Sequence, residues 1–575
     1  MALEKQCRQC KTKFAVTADD LIFYKKISPT FAGKTYEMPA PTLCPDCRQQ
    51  IRFAFRNVVK LYKRKCDLCQ KDIITVYSPD KKVTVYCQQC WWSDKWEPLK
   101  YGRDFDPLKP FFQQFAELKT AVPKAALMNV KSENSEYTNL ADGNRDCYLL
   151  FLAGNNESVY YGYYVDNCKS CVDLTFGAFS ELCYEGINLG KCYNINWSIN
   201  CGNCRDSYFI EDCNSCADCI LCSCLYRKRY CYKNQQLEKD EYEKVKKEFL
   251  AGLETKIDEY RKEFREIIIS RPKKFSQMLR SENCSGEDIF DSKNCQRCFM
   301  MTNCEDCKFC YGMFSTKDSY DVSGFGNTGE LLYQGTNIGL GTTRSSFISF
   351  AYQLSNSFYC DHCYYCDSLF GCVGVKNHKK HCILNKQYSE EEYKATVAKI
   401  IGRMQKDEEW GEWFSNNVSA FGYNETIAND YYPLSKEEAQ KLGFGWQDDD
   451  FSLKFDGTPY EPKAIVEYAK SEKLRQELLD GVLKCKVSGR PYKITPQELH
   501  FYIRNKIPIP QKHFETRFTE RFNLINHIKL FHRQCDCEET DHDHEGRCKT
   551  EFETSYPPEK PEKVYCEKCY WDEEK

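Results

Sequence analysis

Residues 201–222 read CGNCRDSYFIEDCNSCADCILC, and their cysteines stand at steps of three and nine residues. The same register continues in both directions: of the thirteen cysteines from Cys147 to Cys231, twelve lie at positions divisible by three. Asp, Asn, Ser, Gly and Tyr fill the gaps, and the spacing of an amphipathic helix is absent. Short fixed periods of this kind are typical of a solenoid of small β-coils, in which each coil adds similar side chains to one interior row. The pattern predicts a β-solenoid-like unit over residues 140–232.

A second Cys-rich stretch, residues 284–384, has the same character with interruptions. Its cysteines form an early and a late run, separated by a Gly-rich insertion that contains no cysteine. The sequence CYKNQQ at 231–236 returns as CILNKQ at 382–387, so related sequence closes both stretches. We therefore expect two β-solenoid-like units of similar construction, each followed by a helix.

The helix expected after the first unit carries apolar residues at intervals of three and four, which would align them along one face. We interpret this stripe as a surface that covers the neighbouring Cys-rich body, in preference to a coiled-coil dimer. The stripe consists of Tyr242, Val245, Phe249, Leu253, Ile257, Tyr260, Phe264 and Ile267.

The central cysteines have more than one interpretation. Free cysteine packs as a small apolar residue, and identical side chains stack naturally in successive coils, so buried structural thiols are the favoured one. Additional zinc or another soft metal, and an Fe–S or redox site, are the alternatives. Cys213, Cys216, Cys219 and Cys222 have a spacing like that of ferredoxin ligands, but this step belongs to the general register.

Pairs of cysteines separated by two residues also occur near the N-terminus, outside the two central Cys-rich stretches. Each such knuckle donates two thiolates from one turn, and Zn²⁺ accepts four of them in a tetrahedron. With all four positions filled by sulfur, no position is open for a reactive water, so these sites would be structural. The predicted sets are Cys7, Cys10, Cys44 and Cys47, and then Cys66, Cys69, Cys87 and Cys90.

The C-terminus repeats this module in altered form. Residues 548–569 match residues 69–90, with the same 18-residue interval between cysteines. In the first half of the copy, the alignment leaves only Cys485 and His513 where four ligands are expected, because Ser488 and Thr516 replace the others. We expect that half to fold without metal on its apolar contacts. The second half retains Cys548, Cys566 and Cys569, with either Cys535 or Cys537 as the fourth ligand, which makes about three Zn²⁺ per chain.

The N-terminal motifs resemble a known small domain. The elements C-x-x-C-x-x-x-F from Cys7 to Phe14, an acidic residue before Phe23-Tyr24, and C-P-x-C-R from Cys44 to Arg48 are similar to the bacterial treble-clef "probable zinc-ribbon" domain. The resemblance implies that Cys7, Cys10, Cys44 and Cys47 bind zinc. The wider layout is similar to a family of uncharacterised Cys-rich proteins of candidate-phyla bacteria, and it implies no activity.

Positive charge is concentrated at the N-terminal end. Residues 1–66 contain 14 Lys and Arg against 5 Asp and Glu, whereas the whole chain has a formal charge of −3. After the second knuckle, cations recur every four residues, which on a helix would form one face suited to RNA, DNA or a ribonucleoprotein. A solvated helix face, or cations that balance the charge of the zinc centres, would explain the pattern equally well. The candidate residues are Arg48, Arg52, Arg56, Lys60 and Arg64.

Composition and missing motifs restrict the function further. The 575 residues, 42% hydrophobic and 29% charged, are typical of a multidomain globular protein, with no apolar run long enough for a membrane helix. No signal-peptide pattern is present, so we expect a cytoplasmic location, where disulfides are rare. Phosphate-loop, metalloprotease and serine-hydrolase motifs are absent, which leaves a dithiol oxidoreductase as the only enzyme class in view.

The sequence thus predicts a multidomain α+β protein that acts as a non-enzymatic zinc-binding scaffold or adaptor. Contact with nucleic acid or protein partners through the basic helix is the expected interaction, and a metal-handling or thiol-redox protein is the alternative. The expected segments are a tandem treble-clef/zinc-ribbon module at 1–98, a connecting segment at 99–139, the Cys-rich units at 140–232 and 284–384 with a long amphipathic helix at 233–283 between them, a helical segment and linker at 385–450, and a degenerate second ribbon module with one surviving zinc site at 451–575.

Overall fold

Two long, mainly parallel sheets dominate the computed structural model, which describes residues 3–451, 454–526 and 528–573. In that part of the chain one sheet has eleven strands and the other thirteen, and the strands pair almost entirely in sequence order. We name them the first ladder, from Asn129 to Gln236, and the second ladder, from Met278 to Gln387. Helices and small two-stranded sheets surround them, so the protein is a mixed α/β structure with Cys-rich clusters at both ends.

The first ladder advances by twelve residues at each parallel strand, and an antiparallel hairpin with Gln235–Gln236 ends it. Thr138 pairs with Leu150 and Cys219 with Cys231, and the pairs between them have the same separation. This spacing is the sum of the three- and nine-residue steps seen among the cysteines. Its strands are Asn129–Val130, Thr138–Asp142, Tyr148–Gly154, Glu157–Asp166, Lys169–Ala178, Tyr184–Gly190, Tyr193–Gly202, Arg205–Glu211, Ala217–Ser223, Arg229–Tyr232 and Gln235–Gln236.

Within each twelve-residue step the backbone turns at every third residue. Ser170, Asp173 and Phe176 have φ of 49°, 60° and 58°, and the series continues through the ladder. A residue in the left-handed conformation changes the direction of the chain, and non-glycine residues seldom adopt this conformation. Between these corners, Cys171 and Leu174 are fully buried in the interior row. Four left-handed residues can therefore occur in each twelve-residue step between paired strands.

The interior row explains why cysteine lies at positions divisible by three. The buried cluster inside the first ladder consists of Cys, Leu, Ile, Val and Ala side chains, all in that register. The thiols are also hydrogen-bonded: Cys171 Sγ donates to the carbonyl oxygens of Lys169 and Ser180, at 3.2 and 3.5 Å. The side chain thus fills a small space and satisfies backbone acceptors at the same time.

The second ladder follows the same plan with a change of register. Tyr311 pairs with Ser323, twelve residues on, but Met313 pairs with Gly326, thirteen on, where the Gly-rich insertion begins. This irregularity breaks the cysteine phase seen in the sequence. Its strands are Met278–Leu279, Gly286–Phe290, Cys298–Thr302, Glu305–Lys308, Tyr311–Phe314, Lys317–Asn327, Glu330–Thr336, Thr343–Ile348, Ala351–Ser355, Phe358–Cys360, Cys363–Phe370, Lys380–Ile383 and Lys386–Gln387.

The helix expected at 233–283 spans Lys239–Ser270 and lies against the first ladder. Four members of its apolar stripe are buried, and Phe249 meets the rings of Tyr208 and Phe209 at 5.5 and 6.2 Å. The other helices are Ala18–Lys26, Pro45–Phe53, Gln88–Trp92, Phe111–Ala121, Glu390–Lys406, Ile427–Tyr431, Lys436–Lys441, Ile465–Lys470, Glu472–Asp480, Pro496–Asn505, Phe514–Leu524 and Glu567–Glu573, with 3-10 turns at Pro98–Tyr101, Asn416–Val418 and Tyr423–Glu425.

The terminal modules consist of short hairpins and helices. The N-terminal module has the strand pairs Leu3–Gln6 with Lys13–Val16, Thr30–Phe31 with Lys34–Thr35, and Tyr62–Lys65 with Asp72–Thr75, and Val85–Tyr86 pairs with Lys124–Ala125. The C-terminal module has Leu483–Lys484 with Pro491–Tyr492 and Phe531–Gln534 with Glu551–Thr554, and Val564–Tyr565 pairs with Lys273–Lys274.

The N-terminal module docks on the second ladder through two buried arginines. Arg48 Nε lies 3.0 Å from both carboxylate oxygens of Asp321, and Arg52 Nη1 lies 3.3 Å from Oδ1. Asp321 is fully buried at a left-handed corner. Burial by itself would lower the pKa of Arg48, but the Asp321 carboxylate raises it above its usual range.

The C-terminal module docks on the first ladder in the same way. Arg517 Nε lies 2.8 Å from Asp173 Oδ2, and Arg521 Nη1 lies 2.9 Å from Oδ1. Asp173 is also fully buried at a left-handed corner. Each module therefore contacts the ladder that is distant from it in sequence, and the two interfaces are related by the internal duplication.

We expect Asp321→Asn to destabilise the protein by about 3–5 kcal/mol, because it leaves two buried guanidinium groups without a counterion. The measurement is the free energy of unfolding of the transition that includes the N-terminal module, followed in urea. Glu305→Gln is the matched control: it breaks the exposed pair with Lys317, and we expect it to cost under about 1 kcal/mol. Equal effects of the two substitutions would contradict this account of the interface.

Candidate metal centres

The first cluster joins a hairpin turn to the start of a helix. Cys7 and Cys10 lie in the turn between the strands Leu3–Gln6 and Lys13–Val16, and Lys11, at φ 63°, closes that turn. The other two cysteines stand at the N-cap and in the first turn of the helix Pro45–Phe53. All four Sγ atoms lie within 4.8 Å of one another, and they belong to Cys7, Cys10, Cys44 and Cys47.

The second cluster has a similar arrangement, and backbone N–H groups donate hydrogen bonds to its sulfur atoms. The N–H groups of Cys69 and Cys87 donate to Cys66 Sγ, at 3.5 and 3.2 Å, and that of Cys90 donates to Cys87 Sγ at 3.4 Å. Burial would raise the pKa of Cys66, but these N–H donors outweigh it and lower the pKa to about 7. The thiolate form is therefore favoured at Cys66, whereas burial raises the pKa of Cys87 and of Cys90. The four sulfur atoms, of Cys66, Cys69, Cys87 and Cys90, lie within 4.8 Å of one another.

Both clusters have the dimensions of a tetrahedral thiolate site. With a metal–sulfur distance of about 2.3 Å, as for zinc, sulfur atoms at neighbouring corners are about 3.8 Å apart. Cys10 Sγ and Cys44 Sγ are 3.6 Å apart, and Cys69 Sγ and Cys87 Sγ are 3.9 Å apart. The clusters are thus compatible with a bound metal ion such as zinc.

The C-terminal copy forms one such cluster, and its fourth member is Cys535. The Sγ atoms of Cys535, Cys548, Cys566 and Cys569 lie within 4.8 Å of one another, and the N–H group of Cys566 donates to Cys535 Sγ at 3.2 Å. Cys537, the other residue considered from the sequence, groups instead with two histidines and Cys569.

The altered half of the C-terminal copy has a different organisation. Cys485 Sγ lies 3.5 Å from Thr516 Oγ1, and the ring of His513 accepts a hydrogen bond from the N–H group of Glu515 at 3.2 Å. Within the residues that the structure describes, these positions form no group of three or more metal ligands. Burial lowers the pKa of His513 to about 4, so its ring is neutral near pH 7.

The exposed basic helix face predicted from the sequence is not formed. Arg48, Arg52 and Arg56 are at most 4% exposed, and the first two bind Asp321. Arg56 packs so closely against Gly324 that a Cβ there would lie 2.6 Å from its Nη1. These side chains contact the second ladder, so the prediction that they contact a phosphate backbone is wrong for this structure.

The two remaining basic candidates also bind groups of this chain. Lys60 Nζ lies 3.0 Å from Glu515 in the C-terminal module. Arg64 donates to the carbonyl oxygens of Ser78 and Val83, at 3.3 and 3.2 Å. Pairing with acidic residues elsewhere in the chain therefore accounts for part of the N-terminal excess of positive charge, namely Arg48 and Arg52 on Asp321 and Lys60 on Glu515.

The cysteines of the ladders do not resemble the terminal clusters. Except for Cys224, none of those described joins a group of three potential ligands within 4.8 Å. Burial raises the pKa of Cys168 and of Cys192 to about 12, so both thiols stay protonated near pH 7. For Cys168 and Cys192, burial and the hydrogen bonds to carbonyl oxygens favour the interpretation as buried structural thiols.

Cys224 lies outside the interior register, beside two carboxylates that the sequence analysis did not single out. Its sulfur groups with Glu211 and Asp212, at the edge of a cavity of about 440 Å³ between the ladders. Lys273 Nζ lies 2.6 Å from Glu211 and 3.6 Å from Asp212, so an ammonium group already pairs with both carboxylates. A cation would have to displace this lysine, so we do not assign a metal to the group.

Asp173 and Asp321 were also missed. Each aspartate lies two positions after an interior residue, at a left-handed corner, a conformation in which aspartate is common. The sequence alone does not show that either aspartate meets an arginine, because the contact forms only in the folded chain.

No protein-family model and no curated protein matches this chain. Among the described residues, none of the helices is both long enough and apolar enough to cross a membrane.

We expect Cys47→Ser to remove one metal equivalent from the purified protein, because it opens a four-sulfur cluster. Cys171→Ser is the matched control, since Cys171 is equally buried but lies in the ladder, and we expect it to leave the metal content unchanged. Elemental analysis of protein purified without oxygen measures both. Loss of metal from the Cys171 variant, or none from the Cys47 variant, would contradict the assignment.

Proposed function

We propose that this protein is a non-enzymatic scaffold whose terminal modules are held in shape by about three Zn²⁺ ions. The observation that carries the proposal is the set of three four-cysteine clusters, each with its sulfur atoms within 4.8 Å. Four thiolates fill the coordination sphere of zinc and leave no position for a substrate or a reactive water. The ions would therefore stabilise structure and not perform chemistry.

The geometry links the first cluster directly to the docking of the module. Cys44 and Cys47 begin the helix Pro45–Phe53, and Arg48 and Arg52 on that helix reach Asp321. A metal at the cluster would fix where the helix starts and therefore where both guanidinium groups lie. We infer that zinc orders the N-terminal module and through it the contact with the second ladder.

We further propose that each ladder is a β-solenoid unit and that the N-terminal module is of the treble-clef/zinc-ribbon type. The twelve-residue parallel register and the interior thiol row support the first statement. The knuckle-and-helix arrangement of the first cluster supports the second. The two ladders, with the helices and modules packed on them, would serve as the scaffold's surface for protein partners.

The alternative, a metal-handling or thiol-redox protein, would need reactive sulfur in the ladders. A reactive cysteine is a thiolate that solvent reaches, whereas most ladder thiols are buried and donate hydrogen bonds. Nucleic-acid binding through the basic helix is not part of the proposal, because its arginines face the second ladder.

Chelation tests the structural role. We expect removal of metal by a strong chelator to abolish amide hydrogen-exchange protection in residues 44–53 and to weaken it around Asp321, because both depend on the first cluster. The interior strand Lys169–Ala178 of the first ladder serves as the internal control and should stay protected. Unchanged protection at 44–53 in metal-free protein, or purified protein without metal, would refute the proposal.

Thiol reactivity separates the proposal from its alternative. In native protein under anaerobic conditions, we expect a small aromatic disulfide reagent to react with the half-buried Cys284 of the second ladder, and only slowly with the buried ladder cysteines. In denaturant all thiols should react. Rapid modification of many ladder cysteines in the native state, at sites located by mass spectrometry, would favour the thiol-redox function.

A further inference from the structure

The C-terminal cluster differs from its N-terminal counterpart by an insertion. Two residues separate Cys66 from Cys69, whereas twelve separate Cys535 from Cys548. The insertion contains one cysteine and two histidines, all of which are common zinc ligands, and it folds back over the cluster.

The inserted side chains converge on one point next to the four-cysteine cluster. The ligand atoms of Cys537, His542, His544 and Cys569 lie within 4.8 Å of one another. His542 Nδ1 is 3.0 Å from Cys537 Sγ. Cys569 belongs to this group and also to the four-cysteine cluster, so the two groups share one sulfur atom.

The backbone of the insertion turns both imidazole rings to the same side. The N–H group of His544 donates to the carbonyl oxygen of His542 at 2.8 Å, which closes a tight turn. Asp543, between them, points outward and pairs with Lys568, and its side chain is 85% exposed. The two rings lie 6.0 Å apart, centre to centre.

His544 supplies an independent sign of a missing partner. Its Nδ1 lies 2.8 Å from the carbonyl oxygen of Gly546, which places the proton on Nδ1 and leaves a lone pair on Nε2. That Nε2 is buried without a hydrogen-bond partner. A buried polar atom in this state is costly, and an imidazole held at one nitrogen by a carbonyl is the usual form of a metal ligand.

We propose that Cys537, His542, His544 and Cys569 bind a further Zn²⁺ ion, and that Cys569 bridges it to the ion of the four-cysteine cluster. This inference rests on the proposed function, because the bridging sulfur belongs to the third structural zinc site. Each thiol gives up its proton to solvent as the metal binds, and His544 binds through Nε2. The protein then holds about four Zn²⁺ in all, two of them in the second half of the C-terminal module.

Metal content of the full-length protein tests the additional site. We expect the parent protein to contain about four Zn²⁺ and the double variant His542→Ala, His544→Ala about three, because two of four ligands are gone. His532→Ala is the matched control: His532 is exposed, pairs with Glu551, and lies outside the group, so its variant should retain the parent content.

Cobalt substitution tests the shared sulfur. Two Co²⁺ ions joined by one thiolate couple magnetically, so the electron paramagnetic resonance signal per cobalt should be weaker in the parent than in the double histidine variant. Cys537→Ser should act like the double variant, by an independent substitution. Retention of three metal ions by these variants shows that they remain folded.

The outcomes separate this inference from the proposed function. About three Zn²⁺ in the parent and in the histidine variants, with Cys535→Ser lowering the content to about two, would overturn the additional site and leave the scaffold intact. Four ions without magnetic coupling would overturn the bridge. Protein without zinc at the four-cysteine clusters would overturn both.

Discussion

The structure depends on a three-residue step in which one residue must be left-handed and another must fit a narrow interior. A left-handed non-glycine residue costs about 1–2 kcal/mol, and the ladders contain such residues in long series. Continuous parallel hydrogen bonding and a fully buried interior row offset this cost. Cysteine suits the row because it is small and its thiol can donate to the carbonyl oxygens that the corners leave nearby.

The duplication within the chain appears again in the packing between its parts. Arg48 lies over the ring of Phe309 at 5.3 Å, and Arg517 lies over that of Tyr161 at 5.1 Å. The helix that precedes each arginine-bearing helix also contacts a ladder through a tyrosine: Tyr24 packs against Tyr333, and Tyr502 packs against Tyr184. The C-terminal interface has this form although its described residues at the corresponding positions form no four-cysteine cluster, so the same arginine and aromatic contacts accompany both modules.

The cysteine spacing allowed the terminal cysteine clusters to be predicted, because sulfur positions within a knuckle are fixed by short local geometry. The burial of the arginines that follow the second knuckle could not be predicted in this way. A four-residue period places Arg48, Arg52 and Arg56 on one face, but only the tertiary structure shows that this face meets Asp321, 273 residues from Arg48. The choice between Cys535 and Cys537 was equally hidden, because it depends on how the insertion folds back.

Each terminal module contacts the ladder that is distant from it in sequence, and this arrangement constrains the order in which the parts of the chain can assemble. Because Arg48 and Arg52 find their carboxylate only in the second ladder, ribosomal synthesis must continue for 273 residues after Arg48 before that partner exists. At roughly 5–20 residues per second this takes tens of seconds. During that interval the arginines of the nascent N-terminal module lack the carboxylate that binds them in the finished molecule.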